Sequence, residues 1–294
     1  MPQATNLLRG SLLIIVTTLC FTAMDAQVKY FSIYTTFIIF VWAKYFGQTV
    51  FFSFFFYKNR KRIFEYGNLK LQILRGVCTI CPTMGFFLAL KYVPLAEATA
   101  LGFLHPIMVV VASAFILKEK LTIGKISIVL LGFLGVLIIT RPGLGVIHPA
   151  SLLIIIANLF FGLYQIVSKY LDKISNEAST LFFTTMFGLI VSSIFLFLLP
   201  INFSNLVDFD LTNILIFLFF FGLLTSLGEY CLLTAYKTAT ASFLTPLFYT
   251  MLIWSTLYGF IIFNELPDFF SIIGALILVG AGLMNNYFNK EVKN

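Results

Sequence analysis

Apolar runs of about 20 residues follow one another along the whole chain, separated by short polar turns. At that length per bilayer crossing, the pattern predicts ten helical spans at 8–28, 34–57, 72–91, 95–117, 124–140, 150–170, 178–199, 212–236, 240–263 and 269–288. A spanning segment has to satisfy its own backbone hydrogen bonds, which a helix does alone. The runs are also far longer than the ~10-residue alternation of an outer-membrane barrel strand. The longest polar stretch, KNRKRIFEYGNLK at 58–70, is a basic loop, and no segment is long enough for a soluble domain.

The pattern is written twice. Residues 87–121, FLALKYVPLAEATALGFLHPIMVVVASAFILKEKL, match residues 233–267, LTAYKTATASFLTPLFYTMLIWSTLYGFIIFNELP, at a shift of 146 positions. The shift pairs Ala89 with Ala235, Lys91 with Lys237, Thr99 with Thr245 and Glu119 with Glu265, and upstream it pairs Gly76 with Gly222. A period of half the chain reads as one unit duplicated. Each copy then holds five spans, and an odd number turns the second copy over in the membrane. The expected fold is an all-α polytopic membrane protein, with ten transmembrane helices in two inverted five-helix repeats, residues 8–142 and 150–288. Secondary transporters are commonly built this way, with substrate near the midplane where the halves meet. Channels and some membrane enzymes also duplicate.

Composition agrees with the pattern. The chain is 60% hydrophobic and 11% charged, against about 25% charged in a soluble domain. The net charge of +7 then reports orientation rather than nucleic-acid binding. With the N-terminus inside, fifteen of the 19 basic residues fall on the inner side; Lys29, Lys91 and Arg141 fall outside, and Lys44 within a span. That bias puts both termini in the cytoplasm. Cys20, Cys78, Cys81 and Cys231 all lie within spans, and without a companion pair the C-x-x-C at 78–81 reads as small packing residues rather than a redox or zinc site. Only Arg9 precedes the first span and no small-residue cleavage site follows it, so that span is expected to be retained.

GFFLALKYVPLAEATALGFLHPIMVVVASAFILKEKL followed by GFLGVLIITRPG resembles the first EamA repeat of the drug/metabolite transporter superfamily. TAYKTATASFLTPLFYTMLIWSTLYGFIIFNELP followed by GALILVGAGL resembles the second, so the resemblance covers essentially the whole chain, including the lysines Lys29 and Lys169 near the ends of spans 1 and 6. It implies a metabolite carrier whose pathway is lined by spans 1, 3, 4, 6, 8 and 9. Members move amino acids, nucleosides, sugars, S-adenosylmethionine and other metabolites, so the resemblance does not choose a substrate. Many relatives carry an arginine in span 2 where VWAKYFG here has Lys44. A point ammonium does not replace a guanidinium fork at an anion site.

Charged and polar groups inside the bilayer are costly and mark function. Asp25 shares a stripe with Thr18, Thr22 and Lys29; it either pairs with Lys29 at i,i+4 or faces the central cavity. Lys44 lies too deep in span 2 to snorkel and is expected to meet a carboxylate or an anionic substrate group. Glu97 opens span 4 after Pro94, where a helix N-terminus favours negative charge; a substrate contact is the alternative. His105, beside Pro106, reads as a neutral imidazole bonded to a neighbouring helix, or as a substrate contact or proton relay. Glu229 stands out, on a stripe with Gly222, Thr225, Ser226 and Tyr236 that must face a cavity or another helix.

Asn158 and Gln165 align with Gly162 and Lys169 on span 6, and Tyr249 aligns with Ser242, Thr245 and Thr256 on span 9, with Trp254 nearby. Pro82 and Pro246 allow kinks. Phe21, Phe86, Phe103 and Tyr249 are candidates for an aromatic box. Glycines in spans 5 and 10 (Gly132, Gly135, Gly274, Gly280, Gly282) are expected to pack the halves closely.

The sequence thus predicts a non-enzymatic secondary carrier in a bacterial cytoplasmic membrane. It would move a small organic metabolite, foremost a zwitterion such as an amino acid or S-adenosylmethionine, with nucleosides and other metabolites or drugs as the alternative. Its partners would be that substrate, the bilayer, and coupled protons or a counter-substrate. No cofactor, metal or nucleic acid is implied, and no phosphate-binding loop is present. The rivals are a lipid-acting membrane enzyme, disfavoured because the two histidines, His105 and His148, lie far apart, and a non-transporting membrane protein.

Overall fold

The apolar runs fold as helices. A computed structural model describes residues 2–55, 67–105, 107–108, 123–141, 148–171, 174–175, 177–199, 211–238 and 244–291. Helices α1 (Pro2–Phe31), α2 (Phe37–Phe55), α3 (Leu69–Leu90), α4 (Leu95–Gly102) and α5 (Ile123–Thr140) belong to the first half. Helices α6 (Ser151–Leu171), α7 (Glu177–Leu198), α8 (Leu211–Thr238), α9 (Thr250–Phe263) and α10 (Phe269–Glu291) belong to the second, with a 3₁₀ turn over Thr245–Tyr249 leading into α9. No strand occurs among the described residues. Five stretches are long and apolar enough to cross a bilayer by themselves: Leu7–Phe31, Phe37–Phe54, Leu69–Leu90, Ser151–Ser168 and Ser179–Leu198. Shorter apolar stretches lie at Val129–Ile139, Leu218–Leu232, Leu247–Phe263 and Phe269–Ala281. Glu119, expected at the end of the fourth span, lies outside the described residues, as do the side chains of Tyr236, Lys237 and Lys169.

Side chains at the helix ends fix where the connections turn. The Asn68 carboxamide accepts from the backbone N–H groups of Lys70 and Leu71, capping α3. At the end of α9, Asn264 takes a left-handed conformation (φ 54°). The Asn264 and Glu265 N–H groups then close on Phe260 O (3.1 Å) and Gly259 O (2.9 Å). That cap projects Glu265 out of the helix. Asp268 in turn accepts from Ser271 N (2.7 Å) and caps α10.

The fourth span does not run as one continuous helix. α4 stops at Gly102, and Phe103–Leu104 form a turn whose N–H groups reach back only three residues, to Ala100 O and Leu101 O (both 3.1 Å). The reason is chemical: Pro106 has no N–H to bond the Gly102 carbonyl. The second half also leaves α geometry nearby, as the 3₁₀ turn Thr245–Tyr249 containing Pro246. Shifted by 146, the two irregular turns overlap at one position, Phe103 and Tyr249.

Helices pack in pairs that exchange when the count is advanced by five. α1 lies against α8 and α9, and α6 lies against α3 and α4; α2 packs on α7, α4 on α9, and α5 on α10. The α5–α10 seam is the expected glycine contact, since a Cβ on Gly274 would stand 2.7 Å from Gly135 O. The closest approach joins α2 to α8, where a Cβ on Gly47 would stand 2.4 Å from the Gly222 Cα. The obstacle is backbone and cannot move aside. Gly47→Val is expected to lower the thermal midpoint of the detergent-solubilised protein by the equivalent of about 1–3 kcal/mol or more. Gly280, with nothing within 4 Å of its Cβ position, should accept Ala without loss in the same measurement.

Candidate functional site

α1 brings a buried polar stripe into the bundle. Thr17 donates to Gly228 O of α8 (3.2 Å), and Thr18 shares a hydrogen bond with Thr250 of α9 (2.9 Å). The Trp254 indole also donates to Thr18 Oγ1 (3.3 Å), and Thr22 bonds back to Thr18 O. These hydroxyls fasten α1 to the second half and leave Asp25, buried one turn further along, facing Lys44.

Lys44 is the focus of the site. Its ammonium reaches Thr83 Oγ1 (3.4 Å) and lies over the rings of Tyr45 (5.7 Å) and Phe87 (5.9 Å). Its field acts on Glu229 and on Asp25, so the three side chains from α2, α8 and α1 share one region. The Glu229 carboxylate also feels Arg75. None of the three closes to a contact ion pair: among the described residues those pairs are Lys29–Glu265 and Arg141–Asp268. Lys44, His105 and Glu229 are half-buried, and each keeps part of its surface accessible. Thr225 and Ser226, by contrast, turn their hydroxyls back to Gly222 O (2.9 and 2.7 Å).

The two irregular turns meet beside this region. Phe103 and Tyr249, repeat partners in sequence, meet with ring centroids 4.9 Å apart and planes inclined at 48°. His105 follows, edge-on to Phe161 (5.3 Å, 81°), with Nδ1 3.2 Å from Gly102 O. Asn158 of α6 donates to Leu101 O (3.1 Å) and Ile154 O (2.7 Å). Its role is to brace the α4 turn. Gln165 is half-buried on α6. Of the proposed aromatic box, Phe86 lies 3.9 Å from the Cβ position of Gly102, but Phe21 packs instead against Gly228.

One of the two readings of Asp25 drops out. The i,i+4 pairing of Asp25 with Lys29 does not form: Lys29 pairs with Glu265 (3.1 Å) and donates to Val93 O (2.8 Å). Glu265, freed from α9 by its cap, wins because it also takes the α4 N-terminal Leu95 N–H (3.4 Å). Glu97 belongs with this second group and not with Lys44. It accepts from Ser271 (3.0 Å) at the start of α10, near the Arg141–Asp268 pair. Hydrogen bonds from Ser271, with the Arg141 charge, hold the Asp268 carboxyl below its usual value. A depressed carboxyl stabilises the fold above its unfolded pKa and loses that effect only as pH falls through the folded one, so this joint persists at neutral pH.

Arg75 is the functional-looking residue that charge counting missed, because it sits one turn from a basic loop. It is buried (6% exposed). The guanidinium donates to Ser168 (2.9 Å) and Tyr164 (2.7 Å) on α6, and to Thr180 O (3.3 Å) and Thr184 on α7. Gln72, one turn earlier, reaches Ser175 and Thr180 (3.2 and 3.3 Å). The available signal was an amphipathic pair, Gln72 and Arg75, inside an apolar run.

Apolar helices packed around polar side chains have the architecture of a multi-pass membrane protein. The EamA-like transporter family matches residues 8–141 and 148–287. This chain belongs to that family. A Helicobacter pylori protein named only as an uncharacterized transporter is 26% identical over 286 residues, 95% of each chain. The S-adenosylmethionine uptake transporter of Rickettsia prowazekii is 27% identical over 278 residues, 88% of this chain and 91% of its own. A riboflavin transporter of Brucella anthropi is 25% identical, covering 77% of this chain and 79% of its own. A crystal structure of another chain superposes with a TM-score of 0.63 at 15% identity, over 99% of this chain and 98% of the other, and shares the fold.

Proposed function

We propose that this protein is a secondary carrier that works by alternating access and moves a small organic solute bearing both charge signs. An amino acid or an S-adenosylmethionine-like compound is the leading class. The observation that carries this reading is Lys44 within the electrostatic reach of both Asp25 and Glu229, with none of the three locked into a contact pair. Asp25 and Glu229 share this region with Lys44 in a medium that penalises any charge left unbalanced. An ammonium or sulfonium group, or a coupling proton, balances it, while Lys44 receives a substrate carboxylate. The Rickettsia relative named for S-adenosylmethionine uptake agrees in substrate chemistry. In the second reading, favoured by the aromatic Phe103–Tyr249 pair and the relative named for riboflavin, the solute is planar and the charges serve coupling.

The ten-span, inverted arrangement is part of the proposal. Supporting it are helix pairs that exchange on advancing the count by five, and an odd number of spans per repeat. The excess of basic residues on one side supports cytoplasmic termini, and the bacterial relatives support a bacterial cytoplasmic membrane. Counterflow in proteoliposomes loaded with amino acids, S-adenosylmethionine, nucleosides or riboflavin tests the function. Exchange of one class supports a carrier; a folded protein that exchanges none of them counts against it.

A further inference from the structure

His105 carries a feature that the charged centre does not explain. Its Nδ1 lies 3.2 Å from Gly102 O. A carbonyl only accepts, so Nδ1 must hold the proton, and in the neutral ring Nε2 is then an acceptor. The tautomer is fixed by sequence, because Pro106 leaves the Gly102 carbonyl without its helical donor. Among the described residues no hydrogen bond reaches Nε2. The ring keeps part of its surface accessible, so this acceptor is open to a ligand donor. The neighbouring side chains are aromatic: Phe161 stands edge-on at 5.3 Å, and Phe103 lies 6.5 Å from the imidazole and 4.9 Å from the inclined ring of Tyr249. Consecutive residues of α3 join this region to the charged centre, Phe86 touching the Gly102 position and Phe87 lying under Lys44.

We infer that His105 Nε2 forms a second subsite, which accepts an N–H from the edge of a planar heteroaromatic ring while the neighbouring aromatic side chains take its faces. The inference rests on the carrier reading above and names the other end of the solute: charged groups at Lys44, a nitrogen-rich ring at His105. Rings with an exocyclic amine or an imide N–H fit; aliphatic amino acids fill only the charged half.

The test is uptake into proteoliposomes with two matched pairs of probes: S-adenosylmethionine against its analogue lacking the ring amine, and riboflavin against its N3-methyl derivative. Wild type should prefer the N–H partner of whichever pair it carries by about tenfold or more. His105→Phe keeps an aromatic ring without the acceptor and should bring that ratio close to one. His105→Gln returns an amide oxygen and should restore much of it. Thermal midpoints of all three proteins control for folding. If His105→Phe does not fold, His105→Asn, which can bond Gly102 O but lacks the distal acceptor, takes its place. Transport of aliphatic amino acids only, or a ratio unchanged without the acceptor, overturns the subsite and leaves the carrier standing. No uptake of any solute overturns both.

Discussion

Glu229→Gln is expected to abolish concentrative uptake, by at least about 100-fold, while leaving the protein folded. The substitution is close to isosteric, so packing of α8 against α1 and α2 is retained. What disappears is one of two carboxylates opposing Lys44. Truncating one member of an enclosed charge group commonly costs about 2–5 kcal/mol, enough for such a factor. Lys44→Met should be equally severe from the other side, since it removes the cation that acts on both Asp25 and Glu229. Uptake under an imposed pH gradient separates substrate binding from proton coupling. If Glu229 carries the proton, Glu229→Gln retains counterflow but loses uphill flux. If Glu229 holds the substrate, both are lost. Full uphill flux in Glu229→Gln would sink the central-site assignment.

The second large effect is structural. Arg75→Leu should lower stability by about 3–5 kcal/mol, because it leaves Ser168, Tyr164, Thr184 and the Thr180 carbonyl without the donor that joins them. It also removes the cation–π contact with Tyr164, whose ring centroid is 4.6 Å from the guanidinium carbon. Arg75→Lys restores the charge but not the fork, so it should recover part of the loss only. Thermal unfolding in one detergent, with Gln72→Leu as a milder neighbour, measures the series. Equal midpoints for wild type and Arg75→Leu would remove Arg75 from the joint.

The sequence announces local features and conceals distant partners. Runs of apolar residues and a shift of 146 positions were enough to outline the helices, since both lie within a single stretch of chain. The depth of Lys44 and Glu229 was legible for the same reason: each stands alone among apolar neighbours. Lys29 was different. Its choice between Asp25, four residues away, and Glu265, in the other half, depends on the left-handed cap at Asn264 and on how α1 meets α9. Periodicity holds no information on either. Glu97 was legible as an acid at a helix start, but its partner Ser271, 174 residues away, was not. The break after Gly102 was foreshadowed by Pro106, but a proline in a membrane helix is often accommodated, and only the three-residue hydrogen bonds at Phe103 and Leu104 decide it.

The repeat places Arg75 of α3 opposite Phe221 of α8, and the two joints have diverged. One is a guanidinium among hydroxyls; the other is a fully buried phenyl ring against Phe40 and Phe87, with centroids 5.7 and 6.5 Å away. In an alternating mechanism each joint parts in turn, and the two partings carry different heat capacities. Wetting apolar surface raises heat capacity, and wetting polar surface lowers it. The balance between the two open forms would therefore drift with temperature even with no solute present. A carrier whose duplicated halves had stayed identical would show no such drift.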